Sequence, residues 1–175
     1  EKPVYRDHVY LELIQSYDIN EATRKLTSPT DQRRPFSDIA GELNIKPVEM
    51  VLITGKGQYD VYDWRFDSYD TTIRLHDRRG DWGSATYRFI RGGANYFEAS
   101  VRARVTKAFD LTYANRFSFE DDRSLETVYG VVYRHQCWGA MLTYTQRLEE
   151  NIVLLTFDLK GLGRVAGIAG KLHPF

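Results

Sequence analysis

Apolar and polar residues alternate along most of this chain with a period of two. Between residues 109 and 119, Phe109, Leu111, Tyr113, Phe117 and Phe119 share one parity, and the residues between them are polar or small. Strict alternation over this length is typical of a β-strand with two unlike faces and not of a helix. The segment is therefore predicted to be a strand.

The same alternation recurs along the chain and predicts about ten antiparallel strands. The other nine segments are residues 8–18, 38–45, 50–61, 66–75, 85–89, 95–105, 125–135, 138–145 and 153–160. By our count the strands are about 9–13 residues long, whereas strands of globular proteins average about 5–6 residues. Tilted strands that cross a bilayer need about 9–11 residues. Strand length therefore favours a transmembrane β-barrel, and the fold class is all-β.

Charged residues of these strands share one parity, which we call the polar face. Its members are Glu42, Lys56, Asp60, Asp70, Arg74, Arg88, Glu98, Arg102, Arg104, Asp110, Arg116, Asp158 and Lys160. A charge that faces lipid at the bilayer midplane costs about 2–4 kcal/mol, so this sorting fits a barrel with a polar lumen. The apolar face also carries Gly41, Gly55 and Gly57, which would pack a soluble core poorly.

Overall composition gives little sign of this organisation. The chain has 175 residues with 24 basic and 24 acidic side chains, so its net charge is zero and a surface devoted to nucleic acid is not expected. Its mean hydropathy is −0.48, and no run approaches the about 20 apolar residues of a membrane helix. The single cysteine, Cys137, cannot form a disulfide within the chain.

Candidate catalytic and metal sites are weak. His135 and Cys137 lie two residues apart at a turn, but no second ligand pair accompanies them. Acid–histidine neighbours occur only at residues 7–8 and 76–77, at strand ends. We therefore predict no catalytic residue, no metal site and no cofactor, and a protein that is not an enzyme.

Several segments resemble the LptD family, the lipopolysaccharide-assembly proteins of the bacterial outer membrane. The His-Gln-Cys-Trp segment at residues 135–138 resembles the penultimate hairpin of that family's barrel. Residues 152–163, which end in Gly-Leu-Gly, resemble its closing strand. The other segments that fit are residues 13–18, 34–38 and 85–89.

The resemblance implies the C-terminal part of a larger outer-membrane barrel. Residues 1–163 would be its C-terminal strands, and residues 164–175 a periplasmic tail. The whole barrel would insert lipopolysaccharide into the outer leaflet through a lateral gate in its wall. Two alternatives from other classes are a self-contained small outer-membrane barrel, either a pore or an omptin-like enzyme, and a soluble β-sandwich.

The resemblance also implies roles for particular residues. Cys137 would form a disulfide with the N-terminal part of the protein, which this chain lacks. Residues 151–163 would form one lip of the gate, with Asn151, Val153, Leu155, Phe157, Leu159, Gly161 and Gly163 as its residues. The lumen-facing candidates for contact with lipopolysaccharide or a plug protein are Arg74, Arg88, Arg102, Arg104, Arg116 and Lys160.

The implied partners follow from the family as well. They are lipopolysaccharide, an LptE-like plug lipoprotein, an LptA-like periplasmic bridge reached through the N-terminal domain, and the barrel-assembly machinery during folding. Nucleic acid is not expected among them.

Overall fold

The described residues form one antiparallel sheet of eleven strands in sequence order. The structure, a computed structural model, describes residues 8–28 and 30–159 in full and the backbone of residues 163–172. The strands are β1 (Val9–Ile14), β2 (Ile39–Val48), β3 (Val51–Asp60), β4 (Arg65–His76), β5 (Trp82–Ile90), β6 (Ala94–Arg104), β7 (Phe109–Ser118), β8 (Arg123–Arg134), β9 (Trp138–Arg147), β10 (Asn151–Leu159) and β11 (Gly163–Leu172).

The predicted all-β, antiparallel class is confirmed, and ten of the strands overlap the ten predicted segments. β11 is additional: it occupies residues that the sequence analysis assigned to a C-terminal tail, and it pairs with β10. Glycines at positions 163, 167 and 170 interrupt the alternation of apolar and polar residues there. For that reason the period-two pattern did not predict β11.

The segment between β1 and β2 contains one short helix, α1 (Ile19–Thr23). Asp18 caps it, because its carboxylate accepts the backbone N–H groups of Asn20 and Glu21 at 2.8 and 3.1 Å. Among the described residues, no helix has the length and apolar character needed to cross a membrane.

Hydrogen-bond register carries each face from strand to strand. Glu42, Lys56, Asp70 and Arg88 are successive partners on β2 to β5 and lie on the polar face. On the other face, apolar residues are similarly in register, and most large apolar side chains of the strands are solvent-exposed. The polar residues and the apolar residues that alternate along each strand therefore lie on two separate faces of the whole sheet.

A soluble domain buries apolar side chains, whereas this sheet buries polar ones. None of the described residues with an apolar side chain is buried, whereas the buried polar residues are Asp60, Thr72, Asp110, Ser118 and Thr156. A β-sandwich would cover one apolar face with a second sheet. The described strands instead make a single layer with an uncovered apolar face, which does not fit the soluble alternative.

The two ends of the sheet differ. The turns after β2, β4, β6 and β8 are short, and we call this the short-turn end; the opposite, loop end carries the segment with α1. One row of partners begins at Ile45 and Ile53, near the short-turn end, and reaches Gln146 and Asn151 at the loop end. The strands are thus staggered in one direction, as tilted barrel strands are.

Candidate functional site

Eight charged residues of the polar face form four ion pairs between neighbouring strands. We call this set the ion-pair ladder; its pairs are Glu42–Lys56 at 2.9 Å, Asp70–Arg88 at 2.6 Å, Glu98–Arg116 at 2.9 Å and Glu126–Arg147 at 2.7 Å. The Tyr96 ring lies between Arg88 and Arg116, with its centroid 5.8 and 5.7 Å from their guanidinium carbons. The ladder therefore crosses the sheet from β2 to β9 with balanced charge.

A different arrangement surrounds Asp110 near the short-turn end, and we call it the arginine cluster. Arg102 donates to Oδ2 of Asp110 from Nε at 2.8 Å and from Nη2 at 2.5 Å. Arg134 donates from Nη2 to Oδ1, and Nε of Arg104 lies 3.9 Å from the same oxygen. The Asp110 side chain is only 1% exposed, so three arginines enclose one carboxylate.

Strand register explains why these four residues meet. Arg104 on β6 is the direct partner of Asp110 on β7, and Arg102 is two residues away on the same face. On the other side Asp110 pairs with Val132 of β8, and Arg134 again lies two residues away. Side chains two residues apart on neighbouring strands are within reach of long groups such as arginine.

The turn between β4 and β5 positions Arg104. Asp77 accepts the backbone N–H groups of Arg79 and Asp81 at 2.8 and 2.9 Å, which closes the turn. Asp81 in turn accepts the N–H of Arg104 at 2.5 Å. Gly80 has φ +89°, and a Cβ there would lie 2.8 Å from Nη2 of Arg104. The guanidinium thus lies against a turn that requires glycine for both conformation and space.

Gly130 makes room beside the cluster. It is the register partner of Thr112, which in turn pairs with Arg102. A Cβ on Gly130 would lie 2.2 Å from Oγ1 of Thr112. The threonine side chain therefore occupies the space that a larger residue on β8 would need.

The predicted lumen residues divide between these two arrangements. Arg88 and Arg116 belong to the ladder, and Arg102 and Arg104 to the cluster. Arg74 makes no ion pair with any described residue, and Lys160 lies outside the described residues. Arg134 was not among the predicted lumen residues, although it lies an even number of positions from Glu126 on the same strand, which was a usable signal.

The predicted gate residues are on β10, with two exceptions. Asn151, Val153, Leu155, Phe157 and Leu159 share the apolar parity of that strand, Gly161 lies outside the described residues, and Gly163 begins β11. β10 pairs with β9 on one edge and with β11 on the other. Within the described sheet, the outer edge therefore belongs to β11, one strand beyond the predicted lip.

Cys137 lies in the turn between β8 and β9, at the short-turn end. Its thiol is exposed and free.

An arginine with two carboxylates organises the segment at the loop end. Arg24 donates to Glu21 at 2.6 Å and to both oxygens of Asp31 at 2.5 and 2.7 Å. Its hydrogen bonds hold the pKa of Asp31 well below the usual value of 3.8 and also lower the pKa of Glu21. The segment is tied to the sheet by the N–H of Phe36, which donates to the Tyr62 hydroxyl at 2.7 Å.

Three carboxylates also converge at the loop end, but arginines compete for them. Oxygens of Asp38, Asp60 and Asp67 lie within 4.8 Å of one another. Arg91 and Arg65 approach Asp67 at 3.1 and 3.7 Å. The group is therefore a mixed-charge cluster and is a poor match for a dedicated cation site.

The chain matches a known protein family. Residues 4–120 match the family model LptD, described as LPS transport system D. The chain belongs to the LptD family. The matched residues end before the 135–138 and 152–163 segments, which carried much of the resemblance in the sequence.

Curated relatives agree with the family match. The chain is 29% identical over 149 residues to the LPS-assembly protein LptD of Alkalilimnicola ehrlichii, covering 79% of this chain and 20% of that protein. It is 22% identical over 160 residues to the LPS-assembly protein LptD of Shewanella denitrificans, covering 76% and 21%. The chain thus spans about a fifth of the length of these relatives. The family is one of transport proteins, in agreement with the prediction that the chain is not an enzyme.

Proposed function

We propose that this chain forms part of the wall of an outer-membrane translocon that inserts lipopolysaccharide into the outer leaflet. The observation that carries the proposal is the pair of unlike faces in a chain of this family: an uncovered apolar face for lipid and a charged polar face for a lumen. The family match favours this function over a self-contained pore or an omptin-like enzyme.

Depletion of the protein that contains this chain tests the proposal. Newly made lipopolysaccharide should then accumulate in the inner-membrane fraction, as measured by pulse labelling and density separation of the membranes. Complementation with the intact gene should restore delivery. Normal delivery during full depletion would contradict the proposed function.

The lateral gate is part of the same proposal. Because β11 lies outside β10 in the sheet, we place the lip on β11 (Gly163–Leu172), with the predicted residues of β10 directly behind it. A disulfide engineered between β11 and the strand that faces it in the complete barrel should block delivery, and reduction should restore it. Unimpaired delivery by the fully cross-linked protein would contradict the gate.

The proposed bridge from Cys137 to the N-terminal part of the protein has a separate test. An exposed thiol in a turn is accessible to a partner cysteine, and an oxidising compartment favours the bond. On non-reducing electrophoresis, Cys137→Ser should change the mobility of the full-length protein. Unchanged mobility would contradict the bridge.

The proposed partners rest on the family alone. They are the LptE-like plug lipoprotein in the lumen, the LptA-like bridge on the periplasmic side, and the barrel-assembly machinery. Co-purification with the tagged full-length protein should recover the first of them in stoichiometric amount.

A further inference from the structure

We propose that the arginine cluster is a binding site for a phosphate group attached to a sugar, at the short-turn end of the polar face. The inference rests on the proposed function and deepens it, because it names the part of the polar face that holds the charged head of the transported glycolipid. The geometry that carries it is one buried carboxylate among three guanidinium groups.

The donors of the cluster exceed its acceptors. Each guanidinium carries five N–H donors, and one carboxylate offers about four acceptor positions. Arg102 uses two of its nitrogens on Asp110 and Arg134 uses one, whereas Arg104 approaches the carboxylate only at 3.9 Å. Several N–H groups are therefore left for a further acceptor.

The net charge of the cluster also favours an anionic ligand. Three guanidinium groups face one carboxylate, and their side chains keep 31–43% of their surface exposed while Asp110 is closed off. The adjacent β4–β5 turn contributes two acids, Asp77 and Asp81, and two bases, Arg78 and Arg79, so it adds no net charge. Asp158 lies opposite Gly139, the partner of Arg134, and counting it still leaves an excess of one positive charge.

The remaining donors suit phosphate because arginine pairs bidentately with phosphate oxygens and is always protonated. A phosphate monoester carries about −1.5 to −2 charges at neutral pH, so it offsets the positive charge that the cluster retains. Asp110 then acts as a positioning residue: it fixes Arg102 and Arg134, so their side chains lose less freedom when the anion binds.

Trp82 favours a sugar-linked phosphate over free phosphate. It is the register partner of Arg102 on the same face, and its side chain is exposed. An indole beside the guanidinium gives a flat, rigid surface with a polar edge. A sugar ring that carries the phosphate can lie on this surface, whereas inorganic phosphate gains nothing from it.

Binding to the purified full-length protein in detergent tests the site. The probes are bisphosphorylated lipid A, its dephosphorylated form and inorganic phosphate. The test variant is Arg102→Gln/Arg134→Gln, and the matched control is Arg88→Gln/Arg116→Gln, which removes the same charge from the ladder. The test variant should weaken binding of lipid A by at least about tenfold, and the control by less than about twofold.

Further measurements distinguish a sugar-linked phosphate from free phosphate and define the results that would contradict the proposal. Trp82→Ala should weaken lipid A binding and leave phosphate binding unchanged. Equal loss in both double variants, or equal binding of dephosphorylated lipid A, would overturn the site. So would release of the plug lipoprotein from the test variant with lipid A binding intact, because the cluster would then be a protein contact.

Folding is checked independently by heat-modifiable migration, and Arg102→Lys/Arg134→Lys serves as a second variant. Lysine keeps the charge but not the fork, so it should recover only part of the affinity. The site and the proposed function also fail separately. Normal lipopolysaccharide delivery during depletion would contradict the proposed function. Lipid A binding that is unchanged in the test variant would contradict only the proposed site.

Discussion

The ion-pair ladder and the arginine cluster lie on the same face of the same sheet, but acids and bases are equal in number in the ladder and unequal in the cluster. Each acid of the ladder has one basic partner, as in Asp70–Arg88 and Glu98–Arg116, and both members stay partly exposed. In the cluster one carboxylate is enclosed by three arginines and is closed to solvent. The ladder is electrically satisfied, whereas the cluster keeps unused donors.

The difference shows what each arrangement is suited to. Exposed pairs of opposite charge contribute about 0–1 kcal/mol each, so the ladder fills a polar wall without holding a ligand tightly. An enclosed carboxylate that orders several arginines instead makes a fixed array of donors. Of these two arrangements, the cluster therefore combines excess positive charge with a fixed geometry and the ladder does not.

Removal of the central carboxylate should have the largest effect. Asp110→Ala leaves three guanidinium groups close together without the carboxylate between them, and loss of one member of a buried ion pair costs about 3–5 kcal/mol. Urea unfolding of the full-length protein in detergent should show a loss of about 3 kcal/mol. Asp70→Ala in the ladder is the control, and equal losses in the two variants would erase the distinction.

Overpacking beside the cluster should have the next largest effect. Gly130→Ala would place a Cβ 2.2 Å from Oγ1 of Thr112 and push that side chain towards Arg102. We expect a destabilisation of about 2 kcal/mol, which Thr112→Ala in the same chain should largely reverse. At Gly83 the nearest atom to a new Cβ is 3.7 Å away, so Gly83→Ala should be nearly neutral. No rescue by Thr112→Ala would contradict the steric cause.

Period-two alternation was enough to predict the sheet, because each strand face meets a single environment and parity alone sorts the side chains. The antiparallel order followed from the short connections. β11 was not predicted, since its glycines at 163, 167 and 170 leave no parity to follow. Its presence also moves the outer edge of the sheet one strand beyond the predicted lip.

The candidate site could be predicted only in part. Parity placed Arg102, Arg104 and Asp110 on one face, but it cannot tell which residues of neighbouring strands are opposite one another. That depends on register, which the β6–β7 and β7–β8 turns fix and which brings Arg134 to Asp110. The contrast between a balanced ladder and an unbalanced cluster therefore appears only in three dimensions.

Exchange of one ladder pair should have a small effect. Arg116→Ala should cost less than about 1 kcal/mol, because both Arg116 and Glu98 are more than 40% exposed. The exchange Arg116→Glu with Glu98→Arg should restore most of that loss, as measured by the same urea unfolding. The same kind of exchange between Arg102 and Asp110 should fail, because it moves the acid from β7, between the arginines, to β6, away from Arg134 on β8. Equal tolerance at both places would contradict the comparison.

At the loop end one arginine, Arg24, pairs with two carboxylates, whereas in the cluster three arginines surround one carboxylate. Loss of Arg24 should affect the loop-end segment alone. The lowered pKa of Asp31 means that its contribution is complete above 3.8, the unfolded value, and is lost as the pH falls through the folded pKa. A spin label at Leu26→Cys, with Cys137→Ser, should be immobile at neutral pH and become progressively more mobile as the pH falls below 3.8. In the Arg24→Gln variant the same label should be mobile over the whole range, while a label at Leu111→Cys stays unchanged. A label at position 26 that ignores pH would show that Arg24 does not order the loop through Asp31.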